Sequence, residues 1–148
     1  MDRVVAIDVS PAMTAIAPEN GGAEEIKNVE FLTGTLLETP LPDASFDAVL
    51  ALNVLHVIPE FEASIRRSFA LLKRGGVFVS STACLKLINP MLRCILPIAT
   101  WLGKASRLVS FNRATLERQL TGAGFEILLS ETPGSKETVF IIARKPAA

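Results

Sequence analysis

The sequence has 148 residues, of which 49% are hydrophobic, and its charges cancel to zero at pH 7. This composition is typical of one globular domain with a sizeable core, and it disfavours a disordered chain and a nucleic-acid-binding protein. No run reaches the roughly 18 uncharged apolar residues of a membrane-spanning helix. The first residues lack the features of a secretory signal, so we expect a cytoplasmic protein. The two cysteines, Cys84 and Cys94, are expected to be buried free thiols, and we predict no metal site.

The zero net charge conceals an uneven distribution along the chain. Residues 1–62 contain eleven acidic and two basic residues, which gives −9, and the remaining residues carry the balancing +9. One interpretation is an interaction surface formed by halves of opposite charge. The other is that the two halves interleave in the fold and their charges pair locally. Both interpretations stay open at this point.

The chain begins with a strand, a tight turn and a helix. Residues 4–7 form a short apolar run that ends at Asp8. Ser10 and Pro11 follow, an N-cap residue and a proline at the first helical position, which predicts that a helix begins there. Residues 29–32 have the composition of a second strand.

The middle of the chain contains the longest predicted strand of the first half. After the turn-rich residues 39–45, residues 46–52 are apolar on both faces apart from Asp47. That pattern predicts a central strand that helices cover on both sides. Residues 59–74 carry apolar residues at helical spacing, and Gly75-Gly76 is expected to end this helix before a strand at 77–80.

The last third repeats the step from helix to strand. Residues 115–121 are predicted to be helical, and residues 125–130 and 138–144 form two strands around a turn at 133–135. Alternation of strands and helices predicts an α/β fold with a mostly parallel sheet. The short last connection requires an antiparallel hairpin, so one reversed strand is expected at the edge of the sheet.

Four local phrases give this order of elements a family likeness. They are VVAIDVSPAM at residues 4–13, LPDASFDAVL at 41–50, NVLH at 53–56 and LLKRGGVF at 71–78. In order and spacing they resemble the class I S-adenosylmethionine-dependent methyltransferases, in particular the ubiquinone and menaquinone biosynthesis group. The resemblance implies a Rossmann-like methyltransferase fold with an antiparallel C-terminal hairpin strand, over a single domain at residues 1–148.

The likeness starts at the family's second strand. In the family, strand 1 leads into a glycine-rich turn that approaches the cofactor. Gly21-Gly22 follows no strand directly, and Gly122-Ala123-Gly124 follows a helix, so neither fits that motif. The resemblance therefore implies that the chain supplies strands 2 to 7 and lacks the first strand, as expected of an N-terminally truncated domain.

The resemblance also implies a site for S-adenosylmethionine at the carboxyl ends of the parallel strands, where open sheets bind ligands. Asp8 is expected to accept hydrogen bonds from the ribose hydroxyls. Val9 and Met13 are expected to flank the adenine, although as apolar residues they are equally compatible with ordinary core positions.

Three further residues complete the expected cofactor site. Thr35 stands where the family commonly has an aspartate that accepts from the adenine amino group, and a neutral hydroxyl is expected to bind it more weakly. The backbone of Leu36 is expected to keep a contact with the adenine there. Asn53 is expected to meet the methionine end of the cofactor, with a turn-forming role at a strand end as the alternative.

His56 is the only histidine of the chain and the candidate general base. A pKa near 6.5 allows an imidazole to accept a proton from a hydroxyl acceptor at neutral pH. The alternative is a structural hydrogen bond after a buried strand. Methyl transfer does not always need a base, because alignment of the reacting atoms can supply much of the rate.

Residues 85–108 occupy the position where the family places a variable substrate cap. Apolar residues surround more than one helical face there, with basic residues between them. Their cover is expected from the domain itself, from another subunit in a homo-oligomer, or from a lipid-like substrate or membrane surface.

The sequence as a whole is compatible with two functions. One is methyl transfer to a small hydrophobic acceptor, and the other is that of a non-catalytic remnant that acts as an interaction or oligomerisation module.

Overall fold

The computed structural model describes residues 3–20, 28–83, 112–132 and 138–147. The chain divides into two compact units, Met1–Leu41 (unit 1) and Pro42–Ala148 (unit 2). Several predicted features lie outside the described residues, namely Gly21-Gly22, both cysteines, the segment 85–108 and the turn 133–135.

The described residues of unit 1 form a parallel strand pair and one helix. Strand β1 (Val4–Asp8) pairs in register with β2 (Val29–Thr33), from Val4 opposite Val29 to Asp8 opposite Thr33. Helix α1 (Pro11–Asn20) connects them and begins at the proline that the sequence indicated. The Thr14 and Thr33 hydroxyls lie 2.7 Å apart and join the helix to β2. The strand–turn–helix–strand order of this region is confirmed.

Unit 2 contains a four-stranded sheet. Its strands are β3 (Phe46–Leu52), β4 (Leu72–Ala83), β5 (Glu126–Glu131) and β6 (Thr138–Arg144). Their order is β3-β4-β6-β5, with β3 parallel to β4 and β6 antiparallel to both of its neighbours. The mixed sheet with an antiparallel C-terminal hairpin is confirmed. The reversed strand is not at the edge, however, because β6 pairs with β4 over its whole length and β5 takes the outer position.

The described helices of unit 2 lie against one face of this sheet. A 3-10 helix (Leu55–Val57) follows β3, α2 (Phe61–Leu71) precedes β4, and α3 (Arg113–Gly122) precedes β5. Asn112 caps α3, since its side-chain oxygen accepts from the Thr115 amide at 2.8 Å. The buried core combines residues of the helices and of the covered sheet face: Ala51, Leu55, Phe61, Ile65, Leu72, Phe78, Leu116, Leu120, Phe125, Val139, Ile141 and Ala143.

The opposite face of β3 is exposed. Leu50 and Leu52 alternate with core-facing residues along the strand and are 58% and 56% exposed, and β3 is the edge strand of the unit 2 sheet. The expectation of a central strand covered on both sides is therefore wrong within unit 2. Apolar residues on both faces of a strand are compatible with burial of both faces. They do not specify whether a helix, another strand or another molecule covers each face.

The junction of α2 and β4 also differs from the expectation. The helix ends at Leu71, and Leu72 already has extended backbone angles. Gly75 and Gly76 lie inside β4, in an irregularity where the pairing moves from Phe46–Leu72 to Ala48–Val77. They therefore form a bulge in the strand and do not end the helix.

Lys145 holds this junction from the far end of the chain. Its ammonium group donates to the carbonyls of Phe69 at 2.8 Å and Leu72 at 2.7 Å. It also lies 4.7 Å from the centre of the Phe69 ring. A cation on the last carbonyls of a helix satisfies acceptors that have no partner within the helix.

The bulge generates a stability prediction. A methyl group at Gly76 would lie 2.9 Å from the Lys73 carbonyl oxygen and 3.1 Å from that of Asp47. These are backbone atoms of paired strands, so moving them away from the methyl group costs free energy. We expect Gly76→Ala to lower the free energy of unfolding by about 1–3 kcal/mol, measured by urea titration with circular dichroism.

Gly122→Ala is the matched control. It lies at the end of α3, and an added methyl group there meets nothing within 4 Å. We expect no loss, and a gain of up to about 1 kcal/mol, because alanine has the higher helix propensity. Equal unfolding midpoints for Gly76→Ala and the wild type would contradict the tight packing at the bulge.

Candidate functional site

The carboxylate of Asp8 stands exposed at the carboxyl end of β1. One of its oxygens accepts from the Ser10 amide at 2.8 Å, and its carbonyl accepts from the Gly34 amide at 2.9 Å. The Ser10 hydroxyl accepts only a long bond, 3.4 Å, from the Met13 amide. Asp8 therefore shares the turn-stabilising role that the sequence assigned to Ser10. Because a carboxylate has about four acceptor positions, it retains capacity for a ligand.

Two large apolar side chains are exposed close to Asp8 in the sequence. Val9 is 70% exposed and Met13, on the first turns of α1, is 52% exposed. Neither is a core residue of unit 1, so the alternative of an ordinary core position does not describe them. Their predicted contact with adenine remains a prediction.

The hydroxyl of Thr35 is used locally. It donates to the Glu38 carboxylate at 2.8 Å and accepts from the Glu38 amide at 3.2 Å. These two hydrogen bonds stabilise the turn that follows β2, and half-buried Leu36 lies within that turn. The exposed Glu38 carboxylate beside Thr35 was not predicted from the sequence, although the Thr-x-x-Glu spacing indicates that the two residues can pair.

Asn53 turns the chain at the end of β3. Its backbone has a φ of +54°, a left-handed conformation that asparagine adopts more readily than most residues. Its backbone N–H donates to the Ser81 carbonyl at 2.6 Å, which joins the end of β3 to β4. The turn-forming role is therefore present in the structure, and the exposed side chain leaves the predicted cofactor contact as a prediction.

His56 lies in the 3-10 helix that follows this turn. Its Nδ1 atom is buried and has no hydrogen-bond partner among the residues that the structure describes. Burial lowers the pKa of His56 below the usual 6.5, because desolvation penalises the imidazolium. The imidazole is therefore neutral at pH 7, the form in which one ring nitrogen accepts a proton.

Two hydroxyls on β4 are also buried without a partner. Ser80 and Thr82 have no exposed surface, and neither side-chain oxygen forms a hydrogen bond within the described part of the chain. Neither residue was predicted from the sequence as part of a site. The signal in the sequence was that Ser80 and Thr82 follow Phe78, a core residue, at alternate positions and so share its face of the strand.

The predicted site residues fall in both units. Unit 1 contains Asp8, Val9, Met13, Thr35 and Leu36, and unit 2 contains Asn53 and His56. The single site that the sequence resemblance implies at the carboxyl ends of the strands therefore remains a prediction. Among the described residues, no group of three or more His, Cys, Asp or Glu is arranged to hold a metal ion. No described helix is long and apolar enough to cross a membrane.

Protein relatives identify the family of these residues. The model of a methyltransferase domain matches residues 1–80, more than half of the chain. A demethylmenaquinone methyltransferase of Listeria monocytogenes is 25% identical over an alignment of 167 residues that covers 97% of this chain and 68% of the relative. A ubiquinone/menaquinone biosynthesis C-methyltransferase of Methylobacterium nodulans is 30% identical over 77 residues. That match covers 52% of this chain and only 31% of the relative's length.

Solved structures show the same fold. An S-adenosylmethionine-dependent methyltransferase from Mesorhizobium loti has a TM-score of 0.79 at 21% identity, over 97% of this chain and 80% of that chain. The [4+2]-cyclase SpnF has a TM-score of 0.77 at 20% identity, over 99% of this chain and 67% of that chain. At these identities the structures establish the fold and not the reaction. The match over residues 1–80, which contains Asp8, Asn53 and His56, shows that the chain belongs to the methyltransferase domain family, within the class I S-adenosylmethionine-dependent methyltransferases that its sequence resembles.

Proposed function

We propose that this chain binds S-adenosylmethionine and takes part in methyl transfer to a small hydrophobic acceptor that carries a ring hydroxyl. One observation carries the proposal: a carboxylate, Asp8, stands exposed at the end of a parallel strand, close in sequence to two exposed apolar side chains. The names of the relatives from Listeria and Methylobacterium favour a quinone-like acceptor. A quinone in its reduced form carries ring hydroxyls.

The residues of unit 1 fit the adenosine part of this cofactor. Two ribose hydroxyls need acceptors, and the Asp8 carboxylate has acceptor positions beyond the one that Ser10 uses. An adenine ring needs apolar surfaces, which Val9 and Met13 present to solvent. Glu38 places a carboxylate beside Thr35 and is our candidate acceptor for the adenine amino group.

The residues of unit 2 are assigned to the acceptor side of the reaction. The bound cofactor supplies an electrophilic methyl group on a sulfonium. His56, neutral at pH 7, would accept the proton of an acceptor hydroxyl whose oxygen takes the methyl group. Asn53, at the adjoining end of β3, is proposed to position the methionine end of the cofactor.

Two findings favour the second function, a non-catalytic interaction module. The Thr35 hydroxyl is occupied by Glu38, and Leu50 and Leu52 form an exposed apolar surface on β3. The fold match to a [4+2]-cyclase also shows that this architecture occurs in a protein named for another reaction. Homo-oligomer formation, contact of residues 85–108 with a lipid-like surface and the cytoplasmic location remain predictions of the sequence.

Calorimetry with S-adenosylmethionine tests the proposed function directly. We expect saturable binding, weakened about tenfold or more by Asp8→Asn, because the amide keeps the hydrogen bond from Ser10 but loses the charged acceptor of the ribose hydroxyls. Asp47→Asn is the matched control, since this exposed aspartate pairs with Lys73 on the surface of unit 2. No heat at millimolar ligand, or equal weakening by both variants, would contradict the proposal.

The protonation of His56 provides a second test. As the only histidine, it gives a single set of imidazole signals in NMR, and we expect its folded-state pKa to lie below 6.5. The unfolded chain then binds this proton at higher pH than the folded chain, so stability is lost as the pH falls through 6.5 towards the lowered value.

The methyl-transfer rate should follow the same titration. We expect kcat/KM with a hydroxyl acceptor to fall below the measured pKa of His56 and His56→Asn to lower it about 100-fold or more, without weakening cofactor binding. A rate independent of pH between 5 and 8 would exclude His56 as the base.

A further inference from the structure

The Asp8 carboxylate is held by the residue that precedes helix α1. The Ser10 amide donates to this carboxylate at 2.8 Å. Local capping of the helix is weak, because the Ser10 hydroxyl accepts only the 3.4 Å bond from the Met13 amide. A helix of 10 residues is marginally stable by itself in water, so contacts with the rest of unit 1 must determine where it begins.

Apolar burial does not provide those contacts in the described part of unit 1. The residues of the buried core belong to unit 2, and none of residues 3–17 or 28–41 is buried. On α1 itself, Met13 and Ile16 are 52% and 43% exposed. The position of this helix therefore depends more on its hydrogen bonds than does the position of a helix packed on a buried core.

A pair of hydroxyls forms a polar contact between α1 and β2. The Thr14 and Thr33 oxygens lie 2.7 Å apart. The Thr14 oxygen also lies 3.1 Å from the Pro11 carbonyl oxygen and 3.4 Å from that of Ser10. Because a hydroxyl has one proton, both protons are used when Thr33 donates to Thr14 and Thr14 donates to these carbonyls. These bonds join the first turn of α1 to the end of β2.

Strand pairing places Thr33 beside the Asp8 backbone. The two residues are partners at the ends of β1 and β2, and the Gly34 amide donates to the Asp8 carbonyl at 2.9 Å. The Asp8 carbonyl is thus held by the chain after β2, and its carboxylate by the Ser10 amide. The bond between Thr14 and Thr33 closes these contacts into a ring. Loss of that bond would allow the start of α1, and the Ser10 amide with it, to move relative to Asp8.

We propose that Thr33 and Thr14 are positioning residues for the adenosine end of S-adenosylmethionine. Their hydrogen bond fixes the first turn of α1, and that turn fixes the orientation of the Asp8 carboxylate that accepts from the ribose hydroxyls. This inference rests on the proposed function, to which it adds the residues that orient the carboxylate. An acceptor held in its bound orientation before the ligand arrives has less conformational entropy to lose on binding.

The experiment uses variants of the full chain that differ in one hydroxyl. Thr33→Val removes the donor and keeps the shape of the side chain, whereas Thr33→Ser keeps the hydroxyl. Thr121→Val is the matched control for loss of a threonine hydroxyl. Thr121 donates to a carbonyl of its own helix, that of Glu117 at 3.0 Å, and lies on α3 of unit 2.

Amide hydrogen exchange of the free protein, followed by NMR, reports the first turn of α1. The Thr14 amide donates to the Ser10 carbonyl at 3.1 Å, at the start of this helix. We expect Thr33→Val to increase the exchange rate of the Thr14 amide about threefold or more. Thr33→Ser and Thr121→Val should leave that rate unchanged. An unchanged rate in Thr33→Val would overturn the inference, whether or not the ligand binds.

Calorimetry with S-adenosylmethionine measures the consequence for binding. We expect Thr33→Val to weaken binding about fivefold, and Thr33→Ser to bind as the wild type does. In the Asp8→Asn background, Thr33→Val should weaken binding less than about twofold, because the carboxylate that it positions is gone. A role in stability alone would give the same fold-change in both backgrounds, and that result would overturn the inference.

The outcome for the wild type separates this inference from the proposed function. A wild-type protein that binds no S-adenosylmethionine contradicts the proposed function. A wild-type protein that binds it with the same affinity as Thr33→Val contradicts the positioning role alone.

Discussion

The parallel pairing of β3 with β4 determines where the polar residues of unit 2 lie. Parallel strands end at the same edge of a sheet, so the chain leaves β3 at Asn53 beside Ser81 on its neighbour. The left-handed turn at Asn53 then sends the chain into the 3-10 helix, where Leu55 enters the core and His56 loses part of its hydration. A backbone constraint thus places His56 where burial lowers its pKa.

The same pairing principle operates in unit 1. Because β1 and β2 are parallel and in register, Asp8 and Thr33 end their strands together, and the Gly34 amide donates back to the Asp8 carbonyl. The chain then reaches Thr35 and Glu38 within one turn. Each unit therefore places acceptor and donor groups at the carboxyl ends of its own parallel pair, as ligand sites of open sheets require.

Strands were predictable where local pattern alone determines them. Residues 46–52 and 138–144 were predicted with the bounds that the structure has, because a short apolar run between turn residues permits few alternatives. The end of α2 was not predictable, since Leu72 continues the helical spacing and only the distant Lys145 and the pairing with Phe46 distinguish strand from helix.

The candidate site was partly readable for the same reason. Asp8 and Asn53 follow strands directly, so their positions at strand ends are local facts of the sequence. The partnerless state of the Ser80 and Thr82 hydroxyls is a tertiary property, because it depends on every polar atom that packing brings near them. Glu38 is intermediate, since its hydrogen bonds with Thr35 are local but its value as an acceptor depends on the proposed cofactor.

A crystal structure of the full chain with S-adenosylhomocysteine, the demethylated product of the cofactor, tests the central claim most directly. We expect both ribose hydroxyls within hydrogen-bond distance, about 2.5–3.0 Å, of the Asp8 carboxylate, with Val9 and Met13 against the adenine. A product molecule bound away from Asp8, or crystals without it at saturating concentration, would contradict the account.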